Sequence, residues 1–230
     1  MRLGQSFHAY ATMIERDIRR IECARKELFT LNLGGTAIGT TINASDYYLH
    51  HIVPTLAAVT GYPLMQADDL FDATENLDGF VTISNTLKTC AVNLSKMCND
   101  LRLLSSGPRT GFGETNLPPM QNGSSIMPGK INPVIPEVVT QVAFHVIGND
   151  TTITMAAEAG QMELNAFEPV VFYSLFSSIT SMTGAVNTLV KNCILGITAN
   201  EKRCEDLVSK SVGITTALCP YIGYQKAASI

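Results

Sequence analysis

An all-α fold, built as a bundle of long helices, is predicted from three observations. Apolar residues recur at steps of three and four, strand signals are thin, and the composition is that of an ordinary globular protein. The first seam runs Leu3, Phe7, Tyr10, Ile14, Ile18, Ile21, Ala24, Leu28 and Leu31 with no proline inside it, which predicts one long helix through residue 31. It has no capping residue at its start, so the helix is expected to begin upstream of residue 1 and the N-terminus to be truncated.

Gly34-Gly35-Thr36-Ala37-Ile38-Gly39 superficially suggests a phosphate loop. It follows a helix instead of a strand and lacks the Gly-Lys-Ser/Thr ending, so a packing role, with backbones in close approach, is expected. A second seam, Phe80, Ile83, Leu87, Ala91, Leu94, Cys98 and Leu101, and a third, Phe172, Leu175, Ile179, Met182, Val186 and Leu189, predict two further bundle helices. Between them Val138, Val142, Val146 and Ile153 lie in a segment with few charges, expected to be a central helix buried on several sides. Helices of twenty-odd residues exceed about 30 Å in length, and seams that long invite packing against other copies, so a homo-oligomer is expected. Val81-Thr82-Ile83 sits inside helical periodicity, and Asn122-Gly123 falls in a loop after Pro118-Pro119, so no hairpin is expected. The chain divides into a helical domain over 1–197, which includes an irregular, flexible loop at 122–136, and a separate tail over 198–230.

Composition excludes several function classes. Of 230 residues, 46% are hydrophobic, 16% charged and 7% aromatic, which rules out global disorder. Sixteen basic against twenty acidic residues give a net charge of -4, too little positive field for a nucleic-acid partner. No uninterrupted apolar run nears the roughly 18 residues of a membrane span. Arg2, Glu15, Arg16, Asp17, Arg19 and Arg20 occupy the place of a signal-peptide core, so a cytoplasmic protein without membrane attachment is expected. The six cysteines show no CxxC spacing, and His8, His50, His51 and His145 complete no cage; reduced thiols and no metal site are expected.

The segment from Asn122 to Pro136, NGSSIMPGKINPVIP, is the least globular in composition. Ser124 and Ser125 supply adjacent hydroxyls, Lys130 a cation and Asn132 an amide, with no acid before Glu137. Glycines allow backbone N–H groups to approach a bound oxyanion, lysine adds a point charge and asparagine a directional donor, which together make an anion clamp. A solvated surface loop is the alternative reading of the same composition. No GxSxG is present, so an ordinary esterase is not indicated, and a serine acting here needs something other than a neighbouring histidine to lower its pKa.

Gly123-Ser124-Ser125-Ile126-Met127-Pro128-Gly129-Lys130-Ile131-Asn132-Pro133 resembles the GSSxMPxKxNP signature of the fumarase/aspartase superfamily. Val134 to Val139, Val146 to Asp150 and Met155 to Gln161, with Asn99 to Pro108 and Gly213 to Tyr224, resemble its aspartate ammonia-lyase branch. The likeness covers almost the whole chain but only about half of that family's length. It implies a long-helix bundle forming the multi-chain helical core of a homotetramer with active sites shared between chains, and makes 198–230 the start of a small C-terminal helical domain. It also implies reversible deamination of L-aspartate to fumarate and ammonia by Cβ proton abstraction through an aci-carboxylate. A class II fumarase, another superfamily lyase or an inactive structural fragment are the alternatives.

Carried over residue by residue, the resemblance makes Ser124 the general base and Ser125 a hydroxyl on the substrate carboxylate. Lys130 and Asn132 become carboxylate ligands, and Met127 is expected to offer its backbone N–H. Glu137 resembles an acid that orients a histidine from another chain. His145 stands where aspartases often have lysine and is read as a surface change. No cofactor is required by this chemistry, and an auxiliary divalent cation such as magnesium is compatible with it.

Overall fold

The structure is a computed structural model and describes residues 1–123 and 125–229. The chain forms two compact units: residues 1–97 with 138–187, and residues 98–137 with 188–230.

The first unit opens on α1 (Leu3–Ala24), where the Gln5 side chain accepts the Arg2 N–H at 2.7 Å. The helix predicted through Leu31 ends at Ala24 instead. A 3-10 turn covers Arg25–Phe29, and Thr30–Leu31 become strand β1, which pairs in parallel with β2 (Met65–Gln66). Residues distant in sequence supply these hydrogen bonds, and a periodic seam carries no information about them. Helix α2 (Asp46–Thr60) was not anticipated, because Pro54 sits inside it. Its end signals are nevertheless present: Ser45 Oγ accepts the Tyr48 N–H at 3.2 Å, and Gly61 closes it at φ 71°.

After the short α3 (Asp72–Glu75) come the three predicted bundle helices, α4 (Asp78–Leu104), α5 (Val134–Glu158) and α6 (Glu168–Asn192). In the first unit Leu87, Ala91 and Leu94 of α4 are buried, as are Val139, Val146 and Ile153 of α5 and Val171, Leu175 and Met182 of α6. Phe80 meets Phe172 edge to face at 5.1 Å, tying α4 to α6. Asn149 of α5 donates to Ser178 Oγ at 3.0 Å and to the Ser174 carbonyl at 3.2 Å on α6. Buried Asp150 accepts from Ser84 at 2.8 Å and Lys88 at 2.7 Å, which joins α5 to α4.

The central helix is not buried on several sides within this chain. On α5 Phe144 and Met155 are 62% and 66% exposed, and on α6 Tyr173 and Phe176 are 75% and 61% exposed. These faces of α5 and α6 stay open to solvent. By length and composition 168–196 also passes for a membrane span, with a mean hydropathy of 1.2, but a helix that buries Val171, Leu175 and Met182 in a protein core passes the same test.

The glycine-rich stretch after β1 packs closely: a Cβ on Gly39 would lie 2.6 Å from the Leu70 carbonyl. Thr36, Thr41 and Asn43 are held at φ 63°, 59° and 66°, where a β-branched residue is strained. Thr41→Gly is expected to stabilise the protein by roughly 0.5–1 kcal/mol, the left-handed penalty less the entropy cost of glycine. A melting temperature unchanged or lowered would contradict this.

The second unit holds β3 (Thr115–Asn116), antiparallel to β4 (Thr198–Ala199), then α7 (Glu201–Ser209), a 3-10 turn at Val212–Leu218, α8 (Cys219–Ile222) and α9 (Tyr224–Ala228). Asn200 Nδ2 donates to the Gly113 carbonyl at 2.7 Å, and Arg203 clamps the Phe112 and Gly111 carbonyls at 2.8 and 2.9 Å. Leu101, Cys98, Leu189 and Cys193 are buried in this unit.

All six cysteines are free thiols. Burial, reinforced by the Asp17 carboxylate, pushes Cys90 up to about 11, and burial, with a further contribution from Cys193, pushes Cys98 up to about 12. Both folded values lie above the ordinary thiol value, so between about pH 9 and pH 12 the unfolded chain loses protons that the folded one keeps. The stability these thiols contribute is therefore complete below pH 9 and falls as pH rises through that window. At pH 8 iodoacetamide is expected to label exposed Cys23 in the native protein and to reach Cys90 and Cys98 only after unfolding, as peptide mass mapping would read.

Candidate active site

Residues 122–133 connect β3 to α5 within the second unit. The neck of this loop is tight. Gly123 sits at φ 81°, and a Cβ there would come 3.3 Å from the Lys130 carbonyl. Inside the neck Lys130 N–H donates to the Met127 carbonyl at 3.2 Å, and Gly129 turns the chain at φ 76°. The tip therefore projects: Ser125 is exposed, Ile126 is 90% exposed and Met127 56%. Ser124 lies outside the described residues.

Lys130 is exposed, and among the described residues no carboxylate lies within ion-pair distance of it. Asn132 is half-buried at the base, where its carbonyl accepts the Val134 N–H at 2.9 Å and so helps start α5. Glu137 occupies the first turn of that helix, where the N-terminal dipole favours a carboxylate. Its N–H donates to the Pro133 carbonyl at 3.2 Å. Among the described residues no hydrogen bond or ion pair joins the side chains of Ser125, Lys130, Asn132 and Glu137 to one another. The loop thus carries a cation and polar donors not consumed by internal acceptors, an arrangement that suits an incoming anion.

Glu137 does have a partner that the sequence reading did not single out. Arg102 Nη2, at the end of α4, stands 3.5 Å from Glu137 Oε1. Arg102 lies inside the NDLRLLSSGP stretch, and a cation in an otherwise sparsely charged segment was the available signal. His145 lies on an exposed part of α5, its Nε2 3.0 Å from Ser177 Oγ.

Two surface cavities have linings that include none of the loop residues. One of about 270 Å³ is lined by Leu49, His50, Val53, Pro54, Leu64, Met65 and Gln66, and one of about 580 Å³ by residues 199–203 and Asp206. Among the described residues no three His, Cys, Asp or Glu side chains gather as a metal site.

A family model described as lyase matches residues 1–148, well over half of the sequence. The chain belongs to this lyase family. The curated relatives of this lyase chain include aspartate ammonia-lyases from Pseudomonas aeruginosa, 57% identical, and from Bacillus subtilis, 51% identical. Each match covers 100% of the chain and 49% or 48% of the relative. Among solved structures, a fumarate lyase:delta crystallin from Brucella melitensis bound to cobalt superposes with a TM-score of 0.94 at 49% identity, over 99% of this chain and 49% of that one. A class II fumarase from Schistosoma mansoni superposes with a TM-score of 0.96 at 30% identity, over 100% of this chain and 51% of that one. The expected all-α long-helix bundle of the fumarase/aspartase superfamily is therefore the fold observed. The lyase chain spans about half the length of the curated relatives it matches.

Proposed function

We propose that this chain is the part of an aspartate ammonia-lyase that carries the catalytic loop, and that the full-length protein converts L-aspartate reversibly to fumarate and ammonia. The observation that carries the reading is the projecting loop in which Ser125, Lys130 and Asn132 keep their polar groups free of internal ion pairs, on a chain 57% identical to a curated aspartate ammonia-lyase.

The difficult step is removal of a proton from Cβ, beside a carboxylate that resists further negative charge. Electron density released from the C–H bond flows into that carboxylate, which becomes a dianionic aci form. Ser125 is the hydroxyl placed to donate to it, and each such donor contributes about 2.7–4 kcal/mol. The Met127 backbone N–H is assigned beside it. Lys130 and Asn132 hold the other carboxylate and fix orientation, which lowers the entropic part of the barrier.

Ser124 accepts the proton as an alkoxide, a state that a glycine-rich loop carrying a lysine favours through backbone N–H groups and positive charge. Collapse of the aci form then expels ammonia from Cα and leaves the fumarate double bond. Glu137 orients a histidine from another chain, so the site is completed between copies.

The exposed apolar side chains Phe144, Met155, Tyr173 and Phe176 support assembly into a homotetramer, since hydrophobic surface of this kind is stabilised by burial against further helices. The chemistry requires no cofactor, and an auxiliary divalent cation such as magnesium is compatible with it; the similar Brucella melitensis fumarate lyase is a cobalt-bound structure. A cytoplasmic location accompanies this reading, because its substrate is a soluble metabolite.

The test is the full-length protein incubated with aspartate, fumarate being followed by its ultraviolet absorbance and malate serving as the control substrate. Fumarate from aspartate and none from malate is expected. Turnover of malate alone would establish a fumarase instead, and a well-assembled oligomer inert to both would leave a structural role.

A further inference from the structure

We propose that Arg102 is a positioning residue for the lyase reaction, holding the Glu137 carboxylate in the one orientation from which it can act on its own partner. The inference rests on the reading of residues 122–137 as an aspartate ammonia-lyase site.

The guanidinium is braced from two sides. Nη2 stands 3.5 Å from Glu137 Oε1, and Nη1 donates to Asn99 Oδ1 at 3.4 Å, three residues back on the same helix. Both ends of the pair are anchored by the core: Leu101, beside Arg102, is fully buried, and so is Pro136, beside Glu137.

The third donor shows what the pose costs. Arg102 Nε is buried and, among the described residues, has no hydrogen-bond partner. An arginine at a helix end, free to rotate, would bring that N–H to water, because a buried unsatisfied donor is destabilising. Here the side chain leaves it unsatisfied and keeps its terminal nitrogens on Asn99 and Glu137.

The pair is not explained as a stabilising staple. The two side chains are 40% and 33% exposed, a setting in which an ion pair adds little to stability. What the cation adds is direction: a planar guanidinium held through Nη1 by Asn99 presents Nη2 to one oxygen of the carboxylate. It fixes the carboxylate at the start of α5, seven residues after Lys130 of the anion-binding loop.

The experiment compares Arg102→Gln, Arg102→Lys, Glu137→Gln and the double variant Arg102→Gln/Glu137→Gln in the full-length protein, with oligomeric state checked by light scattering. Arg102→Gln is expected to lower kcat for aspartate about tenfold and leave KM within about twofold. Arg102→Lys, which keeps the charge without the fork, is expected to fall between it and the wild type. The double variant is expected to be no slower than Glu137→Gln alone, because an arginine that acts only through Glu137 has nothing left to orient.

The proposal is overturned by an Arg102→Gln kcat within twofold of wild type, by a loss confined to KM, or by losses that multiply in the double variant. Should Arg102→Gln fail to assemble, exposed Asn99→Ala decides, because it removes only the brace. A kcat about threefold lower at unchanged KM supports the proposal, and an unchanged kcat overturns it. Wild-type turnover of aspartate separates the two levels: with it, a failed Arg102 test removes this inference alone. Turnover of malate only removes the aspartate reading and leaves the same comparison to be made with malate, and turnover of neither removes both.

Discussion

Ser124→Ala, made in the full-length protein, is expected to lower kcat for aspartate by about 10²–10⁴-fold, the usual contribution of a positioned general base. The Cβ–H of aspartate is a very weak acid, so stabilising the aci-carboxylate with Ser125 and its neighbours accomplishes nothing until a base removes the proton. The resemblance to the GSSxMPxKxNP signature assigns that base to Ser124, and the loop itself holds no histidine. Its loss should spare binding if, as proposed, Lys130 and Asn132 are the substrate ligands: KM is expected to stay within a fewfold while kcat collapses. The assembly state, whatever it is, and the melting temperature should be unchanged, because most described residues around it in the loop are exposed and contribute little burial. Turnover within tenfold of wild type would remove Ser124 as the base and direct the search to a group from another chain.

Lys88→Met is expected to destabilise the first unit by about 3 kcal/mol, near the lower end of the cost of stranding a buried charge. Asp150 is 4% exposed, and its two oxygens are taken by Ser84 at 2.8 Å and Lys88 at 2.7 Å. Methionine fills the volume of the lysine stem but leaves a carboxylate in the core with one hydroxyl for company. The Lys88 side chain is 35% exposed, so water recovers part of the loss, which places the expected cost toward the low end. Lys88→Met/Asp150→Leu should regain most of it, because replacing both partners by apolar groups removes the desolvation penalty along with the attraction. Thermal melting of the four variants measures the coupling, and additive losses in the double variant would show that the pair does not act as a unit.

The long helices were legible because each buries one stripe, and a stripe is a local, periodic property: the seams through Leu87 and Leu175 run within α4 and α6. The end of α1 was not legible. Leu28 and Leu31 continue the seam, but the backbone at Thr30 and Leu31 exchanges hydrogen bonds with Met65 and Gln66, and pairing between distant segments leaves no periodic trace. Helix α2 was partly legible, through Ser45 and Gly61, and hidden by Pro54.

In the candidate site the chemistry-bearing residues were readable from one continuous motif, since Ser124 to Glu137 lie within fourteen positions and their residue types are unusual together. Arg102 was not readable in the same way. Its meaning depends on α4 ending where α5 begins, so that a guanidinium 35 positions away stands 3.5 Å from the Glu137 carboxylate.

By itself, then, the sequence determined the helical architecture and marked out the candidate loop, because amphipathic spacing and a run of glycine, proline, serine and lysine act through neighbours along the chain. Only the tertiary structure decided where α1 stops, which charges are buried and which arginine faces Glu137. Each of those depends on the burial and hydrogen bonding that distant segments impose on one another.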